Sequence, residues 1–337
     1  MPVNETVSRY SDLAFNSGVV VLLLAFLLFA FSYASVRTRA VVAKDRAADK
    51  ALVGGGEPAD ASTTALDGTA VDDEDDEFGA EGRTISERLG NMGYGLTILG
   101  FVLTLASMIL RGLATSRFPL GNMYEFVAVT CVAGLAVGLV VLGRQDRRPL
   151  LAFVLIPVVL LLFIAGTVLY AEAAPVVPAL RSYWLPVHVT VISIGSGMLL
   201  VSGVASMLFL WRIKHPSGAE SDSLVGRWAA KLPDAQYLDR LAYRTVVVGF
   251  LVFGSGIVMG AVWAEAAWGR FWGWDPKETV SFIAWVIYAA YLHARATAGW
   301  RDTKAAWINI VGFVAMLFNL FIINMVVSGL HSYAGLN

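Results

Sequence analysis

Runs of about 20 mostly apolar residues, the length of a bilayer-spanning helix, recur along the chain between charged or turn-forming stretches. Eight are read: Phe15–Tyr33, Met92–Leu110, Met123–Leu142, Leu150–Tyr170, Pro186–Trp211, Thr245–Trp263, Thr279–Ala294 and Ala305–Ser328. The seventh is the shortest and is partly polar. The pattern predicts an all-α, polytopic transmembrane helix bundle of about eight spans. The first run is expected to remain as a span, because its basic residues follow the apolar stretch and no Ala-x-Ala site comes after it.

Lysine and arginine collect on the untranslocated side of a membrane. Placing the N-terminus outside leaves six of the 25 outside: Arg9, Arg111, Arg117, Arg181, Arg270 and Lys277. Both termini are then extracytoplasmic, in the plasma (cytoplasmic) membrane. Three regions follow: residues 1–35 as a first span, 36–89 as a cytoplasmic linker, and 90–337 as the main membrane domain. The stretch from about Ala47 to Gly82, with the run Asp72-Asp73-Glu74-Asp75-Asp76-Glu77, holds too little apolar surface to offset its ordering entropy and is expected to be a disordered, solvated spacer. Between His215 and Tyr243, Trp228, Leu232, Tyr237 and Leu241 mix with Arg227, Lys231 and Arg240, which predicts an interfacial amphipathic helix.

Composition supports the membrane reading and removes several chemistries. The chain is 57% hydrophobic and only 15% charged, against roughly a quarter charged in soluble domains. Its single cysteine, Cys131, excludes an internal disulfide, a Cys-x-x-Cys redox pair and a thiolate metal site. A net charge of −1 argues against nucleic-acid binding. Four histidines remain as metal-ligand candidates: His188, His215, His293 and His331.

The outer segment 263–279, between the sixth and seventh runs, contains Trp263, Trp268, Phe271, Trp272 and Trp274. An interfacial aromatic belt accounts for one or two rings per helix end, not for this density. A platform for a large planar ligand does account for it. Asp275 as N-cap, Pro276 at N1 and Glu278 at N3 also read as a capping box that starts the seventh run. Asn122 and Glu125 have the same spacing, with Glu125 also a candidate to orient a ligand near the outer site. Gly256 and Gly260 form a Gly-x-x-x-Gly match whose natural meaning is close helix packing.

His188 lies at the outer mouth of the fifth run and His331 just outside the eighth. Two imidazoles at one face, flanking an aromatic segment, suit bis-axial ligation of a haem iron. Zinc suits them less, since a structural site takes four nitrogen or sulfur ligands. His293, near the inner end of the seventh run, is an ionisable group at membrane depth and a functional candidate, against the plainer reading that it snorkels to the surface. As a lone inner ligand it needs a second ligand from a partner chain. His215 receives no role.

Together these motifs resemble the CcsA/ResC-type haem-handling proteins of system II cytochrome c biogenesis, the WWD family. The resemblance spans about Gly90 to the C-terminus. It rests on Trp-Gly-Arg-Phe-Trp-Gly-Trp-Asp-Pro-Lys-Glu-Thr at 268–279, with Asn-Met-Tyr-Glu at 122–125, Tyr-Leu-His-Ala-Arg at 291–295 and Gly-Leu-His-Ser-Tyr at 329–333, in the family's order. It implies that His188 and His331 are the external axial ligands of haem b. The WWD segment, with Trp268, Trp272, Trp274 and Asp275, would hold the porphyrin, and His293 would receive haem from the cytoplasmic side. It further implies a ResB/CcsB-type membrane partner, a Cys-x-x-Cys-His apocytochrome c substrate, thiol-reducing pathway proteins, and a subunit role in a thioether-forming holocytochrome c synthetase. Propionate contacts are open among Arg117, Arg181, Arg270 and Lys277. The acidic linker matches no family motif.

Two other functions compete on the sequence. A transmembrane b-type electron carrier places two histidine pairs inside the bundle, and only His293 is clearly intramembrane here. A haem-free transporter calls for paired intramembrane charges or broken helices in matching halves, and neither is found.

Overall fold

The computed structural model describes residues 3–53, 85–176, 178–219, 224–230 and 232–331. Most of the acidic segment therefore lies outside the described residues, although the first helix continues to Val53. The described residues fold as nine α-helices: α1 (Glu5–Val53), α2 (Ile85–Thr115), α3 (Met123–Leu142), α4 (Leu151–Thr167), α5 (Trp184–Lys214), α6 (Leu224–Ala229), α7 (Ala235–Trp268), α8 (Pro276–Ala296) and α9 (Thr303–Met325). Each expected apolar run falls largely on one long helix; α4 and α9 end at Thr167 and Met325, short of their runs, while several other helices extend beyond theirs through polar turns. The expected interfacial helix is instead divided. Only α6 is separate, and Pro233 precedes α7, which takes Tyr237 and Leu241 as its own first turns.

α1 packs antiparallel on α2, α5 on α7 and α8 on α9, while α3 lies between α4 and α5. Small residues allow these approaches, as membrane helices require where lipid supplies no hydrophobic drive. A Cβ at Gly197 of α5 would lie 2.9 Å from Gly134 Cα of α3. At Gly256 of α7 it would lie 2.8 Å from Ile192 of α5, as the Gly-x-x-x-Gly match predicts. Inside the bundle, Asn309 of α9 donates to Ser202 and Ser206 of α5 (2.7 Å each), and Ser202 donates to Ala242 O of α7 (3.0 Å). Large side chains such as Leu113, Val140 and Leu251 point outward, as a lipid-facing surface demands.

Among the described residues, seven helices are long and apolar enough to cross a membrane, and α8 is not among them. Connectivity nevertheless carries α8 from one face of the bundle to the other. Its N-cap Asp275 accepts from Leu330 N–H beyond α9 (2.7 Å), and its last-turn Arg295 makes two bonds to Asp239 in the first turns of α7 (2.6 and 2.8 Å). Twenty-one residues at 1.5 Å each span about 30 Å, the thickness of a bilayer's hydrocarbon core. Several polar residues of α8, Lys277, Glu278, Ser281 and Arg295, have partners within the protein, which accounts for the low apolarity of the seventh run.

The Asp275 end of the bundle is the site face. It also contains a buried ion cluster. Glu125, fully buried in the first turn of α3, accepts from Arg111 Nε (2.7 Å), Arg117 Nη1 (2.8 Å) and Gly121 N–H (2.6 Å). Arg111 also reaches Asp12 of α1 (3.6 Å) and the Ala171 carbonyl. The Asn122 cap forms as expected, its Oδ1 accepting from Glu125 N–H at 2.9 Å. The Glu125 carboxylate, however, points toward α1, α2 and the 171–174 segment, because two guanidinium groups hold it there.

Candidate functional site

The tryptophan-rich segment is half helix. Ala264, Glu265, Ala266 and Ala267 are strong helix formers, so α7 continues through Trp263 to Trp268, and Gly269 ends it in the left-handed conformation (φ 72°). The loop proper is therefore 269–275. The expected capping box closes it: Asp275 accepts from Lys277 N–H (3.2 Å), and Glu278 Oε2 accepts from the amides of Asp275 (3.2 Å) and Gly273 (2.9 Å). Held between those two amides, Trp274 adopts φ 56°, a conformation costly for a bulky residue.

Asp275 does more than cap α8. Its Oδ1 accepts from Leu330 N–H and its Oδ2 from His331 Nδ1, both at 2.7 Å. Burial alone would raise this carboxyl, but the bonds from His331 and Leu330 prevail and hold it at about 2. Ionised throughout the physiological range, it accepts from His331 and so places that proton on Nδ1. His331 itself is lowered, chiefly by burial and against the pull of Asp275, which favours the neutral imidazole.

His188, one turn into α5, receives the same treatment from a different group. Its Nδ1–H donates to Gly256 O of α7 at 2.8 Å, since a carbonyl can only accept. Gly260, one turn on, lets the ring lie against α7: a Cβ there would be 2.7 Å from His188 Cε1. Trp263, on the same helix face, stacks on His188 (centroids 5.9 Å apart, 6° between planes) and meets His331 obliquely at 5.8 Å. Both histidines thus turn Nδ1 to a hydrogen-bond acceptor and Nε2 away from it. Such second-shell bonds orient a metal-ligating imidazole and raise its basicity.

Both rings line one cavity between α3, α5, α7, α8 and α9, partly open to solvent. Trp263, Trp268 and Trp272 line it with them, and Trp268 packs edge-on to His331 at 4.9 Å. Trp274 does not reach the cavity; its φ turns the ring outward, 68% exposed. His293 lies in the last turn of α8, exposed at the opposite face. Among the described residues no group of three or more histidines, cysteines and carboxylates could hold a bare metal ion. Two imidazoles beside an aromatic cavity suit an iron whose other four ligands belong to a macrocycle.

A sequence model of the family described as "Cytochrome C assembly protein" matches residues 120–331, a stretch that begins at the cavity's Leu120 and ends on His331. This chain belongs to the cytochrome c assembly protein family. It is 35% identical over 264 residues to the cytochrome c biogenesis protein CcsA of Parasynechococcus marenigrum (strain WH8102), covering 71% of this chain and 85% of that one. To the CcsA of Guillardia theta it is 34% identical over 261 residues, covering 73% and 86%. Among solved structures, the cytochrome c heme lyase CcmF superposes with a TM-score of 0.60 at 15% identity, over 95% of this chain and 47% of that longer one. That likeness establishes a shared fold. α1 and α2 precede the stretch that the family model matches.

Sequence reasoning takes Trp263 only as one ring of the aromatic segment and misses its contact with both histidines. Its signal is present nonetheless. Gly256, Gly260 and Trp263 fall at i, i+4 and i+7, one face of α7, and that face is the one His188 packs against.

Proposed function

We propose that this chain holds haem b at the extracytoplasmic face, between His188 and His331, and presents it for covalent attachment to apocytochrome c. The observation that carries the reading is the paired arrangement of the two histidines. Each is oriented through Nδ1, and both line the cavity beside Trp263 and below the 269–275 loop. Family membership supports cytochrome c maturation as the process served.

In the attachment reaction, each cysteine S–H of an apocytochrome Cys-x-x-Cys-His segment adds across a haem vinyl group. One C–S and one C–H bond form with no net change in electrons. The chain's part is to position the macrocycle, exclude water with Trp263, Trp268 and Trp272, and hold both axial sites until the substrate histidine takes one. Trp274 and Phe271, exposed above the cavity, face the approach of that substrate. At the opposite face, His293 would receive haem from the cytoplasmic side. A second ligand there comes from a ResB/CcsB-type partner, and thiol-reducing proteins keep the apocytochrome cysteines available.

The test is an absorption spectrum of the detergent-purified chain, produced with its ResB-like partner, for wild type, His188→Ala and His331→Ala. Wild type is expected to show a Soret band and sharp reduced bands of bis-imidazole haem. Each substitution should remove them, with exogenous imidazole restoring them. An unchanged spectrum in both variants would overturn the assignment.

A further inference from the structure

Of the four cations open to a haem carboxylate on the sequence, three are spent or turned away. Arg117 is held by Glu125 and by the Phe118 and Ala174 carbonyls. Arg181 reaches only Val176 O, at 3.4 Å on the exposed surface. Arg270 pairs with Glu278 at 3.4 Å. Lys277 differs, because it lines the cavity and makes no ion pair among the described residues. Its Nζ donates to Asn324 Oδ1 at 2.6 Å and sits 4.9 Å from the centre of the Phe126 ring. The two adjacent carboxylates are engaged elsewhere, Asp275 by His331 and Leu330, Glu278 by two loop amides and Arg270.

Lys277 belongs to a polar strip in an otherwise apolar cavity. Ser281 follows it by one turn of α8, and Asn319 and Asn324 face them from α9. Asn319 is 8% exposed and donates through Nδ2 to Ser281 Oγ at 2.7 Å, while its Oδ1 has no hydrogen-bond partner.

We propose that Lys277 is the receptor for a propionate carboxylate of the ligand held by His188 and His331. The proposal rests on the haem reading above and specifies which edge of the macrocycle faces α8 and α9. An ammonium–carboxylate bond in a partly desolvated site gains over the neutral ester by a charge-assisted hydrogen bond.

The full-length chain in detergent is titrated with haem b and with haem b dimethyl ester, in which both propionates are esterified, and binding is read from the Soret band. Wild type is expected to bind the free acid roughly 10- to 100-fold more tightly, the ratio matching a charge-assisted bond of about 1.5–3 kcal/mol. In Lys277→Met that preference should fall to within about threefold, while the bis-imidazole spectrum persists. Lys277→Arg should keep the preference. Because each ratio is taken within one protein, a general loss of stability cancels. A preference undiminished in Lys277→Met overturns the proposal and leaves the haem site standing. A bis-imidazole spectrum that persists in His188→Ala and His331→Ala overturns the haem reading, and this proposal with it.

Discussion

Asp275→Ala is expected to lower haem affinity about 10- to 100-fold, the usual effect of removing the second-shell partner of a ligating histidine. One carboxylate does three things here: it caps α8, accepts from Leu330 N–H and fixes the Nδ1 proton of His331. Loss of the cap alone costs about 1 kcal/mol. The sign of the pH dependence follows from the two depressed groups. With its carboxyl lowered from 3.8 to about 2, Asp275 stabilises the fold above its ordinary value and ceases to as pH falls through about 2. His331, also lowered, favours the neutral form, so its contribution is present above about 6.5 and declines toward acid. Both terms weaken the fold in the same direction. A haem titration of Asp275→Ala at pH 7.5 checks the affinity, and the melting temperature of wild type followed from pH 8 to 5 checks the His331 term. Affinity equal to wild type would show that His331 needs no orientation from Asp275.

Glu125→Ala is expected to be the most destabilising single substitution on the site face. It leaves the buried guanidinium of Arg111 with Asp12, 3.6 Å away and partly exposed, as its counter-charge, and frees that of Arg117. Removing one partner of a buried pair typically costs about 3–5 kcal/mol, of which Asp12 offsets a part. Unfolding temperature should fall by on the order of 10 °C. Restoring neutrality with Arg111→Met in the Glu125→Ala background should recover part of the loss, a coupling that a double-mutant cycle measures. A Glu125→Ala melting curve superimposable on wild type would mean that water reaches the cluster.

The bundle is legible in the sequence because lipid demands long apolar runs, and α3 occupies the expected run Met123–Leu142. The capped starts of α3 and α8 are legible, but the ends of α2, α5 and α7 are not, since these helices continue through polar turns beyond their apolar runs. His188 and His331 stand out as rare side chains at matching depth. Lys277 does not stand out. Choosing it among four cations requires knowing which arginines already have acceptors, and those acceptors include carbonyls at Phe118 and Ala174 that no motif encodes. The outward turn of Trp274 is hidden from the sequence for a related reason. A backbone dihedral, fixed by Glu278 holding the amides on both sides, turns its ring away from the cavity.

The polarity of α8 bears on how the protein is made. A segment with Lys277, Glu278, Ser281 and Arg295 along it gains little from partitioning into lipid by itself. Its polar groups find partners on α7, already synthesised, and on α9, not yet emerged: Asp239 at one end, Asn319, Asn324 and Leu330 at the other. α8 therefore settles across the membrane as the middle member of a hairpin pair and comes to rest only when α9 arrives. The cavity and both of its histidines come together in that same late step of biogenesis.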